Sequence, residues 1–215
     1  MNKWEYGEIY KQYNMEGVIC LGKNKLKVHN IFEPLPSFMK DADCIFVDAP
    51  CSLGNINSFY TKADREDYQT NYNAFQTRLF ECIDEIKPKI LYLEVFKSNK
   101  DNFLVECKRR YKNVKVYDSS YYHNKKNKCW IIQCSNEAIK EPIEFLDEED
   151  FIKWICQNID YRCIGDLCMG RGLVGWYSYL NNKTFVGTEL NKKRLAILVD
   201  KITLVAKITQ DNILK

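Results

Sequence analysis

Residues 164–195 read IGDLCMGRGLVGWYSYLNNKTFVGTELNKKRL. A short apolar run leads into Asp166, and Gly170, Gly172 and Gly175 follow with the spacing G-x-G-x-x-G. A helix-like stretch comes next, then a second apolar strand at 184–187 that ends on Glu189. Strand, glycine turn, helix, strand and acid, in that order, are the parts of a nucleoside-cofactor site. The glycines let the backbone approach the ligand, and an acid ~20 residues further on grips ribose hydroxyls. The distance from Gly170 to Glu189 is 19 residues. Glycines also make plain tight turns, but here the flanking strands and the terminal acid agree with a site. Such a turn usually opens a doubly wound domain. This one comes late in the chain, so the preceding residues must supply the rest of the sheet.

Those residues carry matching parts. Residues 44–47, CIFV, form a continuous apolar run between Asp43 and Asp48, the pattern of a parallel strand buried on both faces. It runs into Asp48-Ala49-Pro50-Cys51-Ser52-Leu53-Gly54. A carboxylate at the carboxyl end of such a strand, followed by a stiff proline turn, lies where open α/β sheets bind ligands. Residues 55–67 are polar and read as a loop, and 68–86 as an amphipathic helix stopped by Lys87-Pro88. A second buried strand, ILYLEV, covers 90–95, and a helix covers 101–111. Residues 114–117 and 129–134 read as a β-ribbon. Between them lies SSYYHNKKNK, in which Tyr121, Tyr122, His123, Lys125 and Lys126 form the best basic-aromatic candidate for contacting a nucleic-acid strand. A solvated hairpin tip is the plainer reading of that loop. Residues 135–146 read as a linker, and Asp147 as the cap of a helix reaching 159. A last helix covers 192–206. Near the start, Trp4, Tyr6, Tyr10 and Tyr13 share a spacing that fits a packed face of a short helix.

Strands alternating with helices predict an α/β fold with a largely parallel sheet. The length of 215 residues suits a single domain over 1–215. The net charge of +3 permits a nucleic-acid partner without demanding one. The 10 cysteines are scattered without a C-x-x-C pair, and His29 and His123 lie far from any cysteine pair. No metal site is therefore expected. Free thiols fit a reducing cytoplasm, the polar start of the chain is no secretory signal, and no apolar run is long enough to span a membrane. Trp154 and Trp176 read as core residues.

Taken together, Asp166-Leu167-Cys168-Met169-Gly170-Arg171-Gly172, Val186-Gly187-Thr188-Glu189-Leu190-Asn191 and Asp48-Ala49-Pro50-Cys51 resemble the motifs of the S-adenosylmethionine-dependent amino-methyltransferases of nucleic acids. The likeness is to their circularly permuted members, with the catalytic half first (here 18–134) and the cofactor half last (147–206). It covers roughly residues 26–205. In that family the cofactor turn reads D-x-F-x-G-S-G, the next strand ends I-G-x-E-x-N, and the catalytic tip is D-P-P followed by an aromatic.

The resemblance implies a Rossmann-like methyltransferase sheet, mostly parallel with an antiparallel ribbon. It implies S-adenosylmethionine bound by Asp166, Cys168, Met169, Gly170, Gly172, Glu189, Leu190 and Asp48. It implies catalysis by Asp48, Pro50 and Cys51, with Asp48 accepting from the exocyclic amine of adenine or cytosine, and DNA favoured over RNA as partner. No separate target-recognition domain fits between ribbon and cofactor half, so a second copy of the chain or a specificity partner is left open.

Cys51 stands where the family has its aromatic. Three readings follow. Stacking can come from elsewhere, with Phe59, Tyr60 and Tyr121 as candidates. Cys51 can act covalently, since D-A-P-C-S is similar to the motif of RNA cytosine-carbon methyltransferases. Or the fold can persist as a binding module without catalysis.

Overall fold

The computed structural model describes residues 7–69, 71–142 and 144–213. Trp4 and Tyr6 lie outside the described residues; Tyr10 and Tyr13 flank or join a single 3-10 turn at Ile9–Gln12. Both pack as expected. The Tyr13 hydroxyl donates to Asp200 at 2.8 Å, and Lys192 lies over the Tyr10 ring.

Eight strands form one sheet: β1 (Val18–Leu21), β2 (Asn24–Val28), β3 (Cys44–Asp48), β4 (Ile90–Val95), β5 (Asn113–Ser120), β6 (Lys128–Ser135), β7 (Cys163–Asp166) and β8 (Thr184–Glu189). Their order across the sheet is β1-β2-β8-β7-β3-β4-β6-β5. The five strands from β2 to β4 run parallel, while β1 and the β5–β6 ribbon are antiparallel additions at the two edges. The late strands β7 and β8 thus sit between the early strands β2 and β3.

Period-two alternation divides the strands between two cores. Ile45, Val47, Leu91 and Leu93 face one cluster, with Ile56 and Tyr60 of α1 (Leu53–Lys62), Phe75, Leu79 and Ile83 of α2 (Tyr72–Ile86), and Phe103 of α3 (Lys100–Arg110). Cys44, Phe46, Ile90 and Tyr92 face the other. There they meet Phe151 and Ile155 of α4 (Glu148–Asn158), Val174 of α5 (Leu173–Leu180) and Leu195 and Leu198 of α6 (Lys192–Ile213). Burying both faces explains why β3 and β4 read as unbroken apolar runs.

One element corrects the sequence reading. Of residues 55–67 only 63–67 form a loop, because α1 covers Leu53–Lys62. The Ser52 hydroxyl caps it by accepting from the Asn55 amide at 3.2 Å. Gly54, Asn55 and Asn57 are poor helix formers, so the helix draws its stability from burying Ile56 and Tyr60 rather than from propensity. Helix α2 accordingly begins at Tyr72, capped by Asn71, rather than at Tyr68. The Asp147 cap of α4 is as expected, its side chain accepting from the Asp150 amide at 2.9 Å. Residues 136–142 run without regular structure against the ribbon. The Gln133 side chain there donates to the Lys140 carbonyl, and Lys115 and Tyr117 bond Glu141.

Candidate functional site

Strand β7 leads to β8 on one side of the sheet, and β3 leads to β4 on the other. The parallel neighbours β7 and β3 therefore mark the point where the strand order reverses, and a crevice opens at their carboxyl ends. Asp166 ends β7 and Asp48 ends β3. The crevice is a cavity of about 930 Å³ lined by the glycine turn, the turn after β3, α1, the β5–β6 loop and the start of α4.

The glycine turn is closed by bonds within the motif and to Asn191 just after it. The Cys168 amide donates to Asp166 at 2.9 Å, and the Gly170 amide to Glu189 at 2.7 Å. The other Glu189 oxygen accepts from the Asn191 amide at 2.9 Å. Gly172 holds a positive φ of 81°, and a Cβ there would lie 2.6 Å from Leu198, so the turn requires glycine at that position. Burial raises Asp166 well above the usual carboxylate range, against the pull of the Cys168 amide. Burial also raises Glu189, opposed by the charge of Arg194.

The opposite wall is assembled from distant segments. Parallel register pairs Asp48 with Glu94 on β4, so both side chains leave the same face of the sheet, the face that α4 covers. Glu148, the first residue of α4, meets them there. Carboxylate oxygens of Asp48, Glu94 and Glu148 all lie within 4.8 Å of one another. The Tyr121 hydroxyl donates to Asp48 at 2.9 Å, and its ring stacks on Phe96 with centroids 5.1 Å apart and planes 8° apart.

Burial raises Asp48 to about 6, with the Tyr121 hydrogen bond and Arg194 holding it down. Burial, then the Asp48 charge, raises Glu148 to about 8. Glu94 is fully buried; burial and the two acids beside it hold it well above its ordinary value. Its oxygens make no well-formed hydrogen bond, although the Cys129 thiol and the Tyr121 hydroxyl lie nearby. Asp48 and Glu148 are only half-buried because they face the open cavity. Water reaches them there, and their upward shifts grow when a ligand displaces it.

The turn after β3 is fixed from three sides. The Tyr72 hydroxyl donates to the Pro50 carbonyl at 2.9 Å and accepts from Asn99 at 2.8 Å, and the Ser98 hydroxyl donates to the Cys51 carbonyl at 3.2 Å. The Cys51 thiol lines the cavity and donates to the Asn55 side chain. The aromatic candidates Phe59, Tyr60 and Tyr121 all line the cavity, with Tyr60 largely buried and bonded to Asn30.

All the residues expected around the cofactor (Asp48, Asp166, Cys168, Met169, Gly170, Gly172, Glu189 and Leu190) line this one cavity, as do Pro50 and Cys51. The β5–β6 loop divides. Tyr121, Tyr122 and His123 line the cavity, whereas Lys125 and Lys126 do not. Instead Lys125 lies over the Phe145 ring, and exposed His123 pairs with Asp147 and Glu149 at the start of α4. Trp176 packs against the second core, as expected, but also forms part of the cavity wall. Sequence reasoning missed Glu94, Glu148 and Phe96. The one available signal was an acid inside the apolar run ILYLEV.

No family model and no curated protein matches this chain. Among solved structures it is similar to M1.HpyAVI, with a TM-score of 0.55 at 13% identity over 83% of this chain and 98% of that one. The M1.HpyAVI complex with SAM gives a TM-score of 0.52 at 11% identity, covering 82% and 98%. TTHA0409 of Thermus thermophilus, assigned as a DNA modification methylase and complexed with S-adenosyl-L-methionine, gives 0.51 at 10% identity, covering 76% and 86%. These likenesses establish the class of fold, a mostly parallel α/β sheet with an antiparallel part, as the motifs implied.

Proposed function

We propose that this chain is an S-adenosylmethionine-dependent methyltransferase acting on the exocyclic amino group of a nucleic-acid base, adenine or cytosine, with DNA as the favoured carrier. The observation that carries this is one cavity with the glycine turn on one side and a tyrosine-bonded Asp48 on the other. The structural neighbours, two of them in complex with the same cofactor, support the reading.

The cavity walls fit the cofactor. Asp166 and Glu189 present buried carboxylates suited to the amino and hydroxyl groups of a nucleoside, beside apolar Met169 and Leu190. Cys168, Gly170 and Gly172 bring backbone close to the cavity without side-chain bulk at the glycines. When bound, the cofactor supplies the sulfonium methyl group.

The residues of the chain do the positioning. An exocyclic amine is a poor nucleophile because its lone pair is delocalised into the ring. Asp48 accepts a hydrogen bond from it and favours the positive charge that develops, while the braced turn 49–51 keeps the carboxylate in place. Tyr121 orients one Asp48 oxygen and leaves the other for the amine. The target base must leave its stack to reach Asp48. Phe96, Tyr121 and Phe59 supply the aromatic wall that Cys51 cannot. The chain acts as one methyltransferase unit in permuted order, with no recognition domain inserted between the ribbon and the cofactor half.

Mass spectrometry of nucleosides from DNA and RNA incubated with the protein and isotope-labelled cofactor tests this. The expected product is a labelled N-methyl adenine or cytosine. A carbon-methylated cytosine would instead favour covalent chemistry at Cys51, and cofactor binding without any methylated nucleoside would favour a binding module.

A further inference from the structure

Glu148 has no part in the chemistry above, yet it lines the same cavity as Asp48. Three acidic groups whose oxygens lie within 4.8 Å of one another cannot all be ionised once a bound base displaces the water of the cavity. The Tyr121 hydroxyl donates to Asp48, which assigns the negative charge to that residue. Glu94 stands behind the other two, fully buried, with neither oxygen in a well-formed hydrogen bond. It keeps the space behind Glu148 acidic and apolar rather than offering a cation. Glu148 therefore retains a proton and faces the cavity as a hydrogen-bond donor, beside an acceptor.

We propose that Glu148 is a specificity-determining residue: its carboxyl donates to a ring nitrogen of the target base while Asp48 accepts from the adjacent exocyclic amine. The pair selects bases that present an amidine edge, an amine beside an unprotonated ring nitrogen. Adenine and cytosine have that edge. Thymine and uracil present the reverse, a carbonyl beside an N–H, which would set acceptor against acceptor and leave buried polar groups unpaired. This rests on the base-methylation reading and names how that site chooses its substrate.

The groups facing Glu148 agree with a retained proton. Asp48 and Glu94 meet it from the sheet, Asp147 and Glu149 lie on its own helix, Tyr121 on the ribbon loop and Arg171 on the glycine turn. Burial and the acids raise Glu148 to about 8, and only Arg171 among these opposes them.

The test is equilibrium binding, by fluorescence anisotropy, of short oligothymidylate strands to protein saturated with S-adenosylhomocysteine. Each strand carries one adenine, 1-deazaadenine or 7-deazaadenine. The adenine and 7-deazaadenine strands should bind about tenfold tighter than plain oligothymidylate, and 1-deazaadenine, which lacks the amidine nitrogen, should abolish the difference. In Glu148→Ala the adenine and deaza strands should bind equally. Glu148→Gln, whose amide still donates, should keep part of the preference. Full deaza discrimination in Glu148→Ala would overturn the proposal, as would equal binding of all strands by the wild-type protein. A preference that EDTA abolishes would also overturn it, since the carboxyls would then be metal ligands. Methyl transfer is measured in parallel. Amidine preference without transfer sustains the proposal and removes catalysis; transfer without preference overturns the proposal alone.

Discussion

The two walls of the cavity are built differently. The glycine-turn wall spans 24 consecutive residues, from Asp166 to Glu189, and its closing bonds span no more than 19 residues of the chain. The Asp48 wall joins β3, β4, the β5–β6 loop and the start of α4, and its bonds cross long stretches of sequence, 73 residues in the case of Tyr121 and Asp48. A local motif has one solution, set by backbone geometry. An assembled site exists only once the whole sheet has formed, and each of its contacts can be tuned separately. The first wall suits an invariant ligand such as a cofactor; the second suits a substrate.

That contrast can be broken at several points. Replacing Gly172 by Ala should have the largest effect. The added Cβ meets Leu198 and the backbone is left-handed there, so roughly 3 kcal/mol of stability should be lost. Thermal unfolding should show a fall of roughly 6–12 °C. Glu189→Ala strands the Gly170 and Asn191 amides, and calorimetry should show cofactor affinity falling about 100-fold while the fold persists.

Tyr121→Phe keeps the ring on Phe96 but removes the hydrogen bond to Asp48. Transfer should drop about tenfold. Because that bond holds Asp48 down, its loss raises the group above about 6, and the acidic limb of the rate profile should move to higher pH.

Glu148→Gln should have the smallest effect. The folded protein holds a proton on Glu148 up to about 8, whereas the unfolded chain releases it near the ordinary value of 4.5. Between those values the folded state binds more protons, so stability falls as pH rises through the window. The Gln variant should lack that loss and melt roughly 2–4 °C higher than wild type at pH 8.5, with no difference at pH 4.

The same contrast explains what could be read from the sequence. The glycine turn, the apolar strands and the Asp147 cap rest on local patterns, and each is legible there. Helix α1 is not, because Asn, Gly and Ser suppress its propensity and only tertiary burial of Ile56 and Tyr60 reveals it. The meeting of Asp48, Glu94 and Glu148 is not, because it depends on the register of β3 with β4 and on which face α4 covers. Tyr121 reads from the sequence as a loop aromatic, but only the folded ribbon brings its hydroxyl to Asp48.

The central claim is that Asp48 positions an amine opposite a cofactor held by the other wall. Its most direct test compares wild type with Asp48→Ala, measuring cofactor affinity by calorimetry and labelled methyl transfer to DNA and RNA by mass spectrometry of the nucleosides. Cofactor affinity should change by no more than a few fold, while transfer to the amino group should fall by about 100-fold or more. Undiminished transfer by Asp48→Ala would contradict the account.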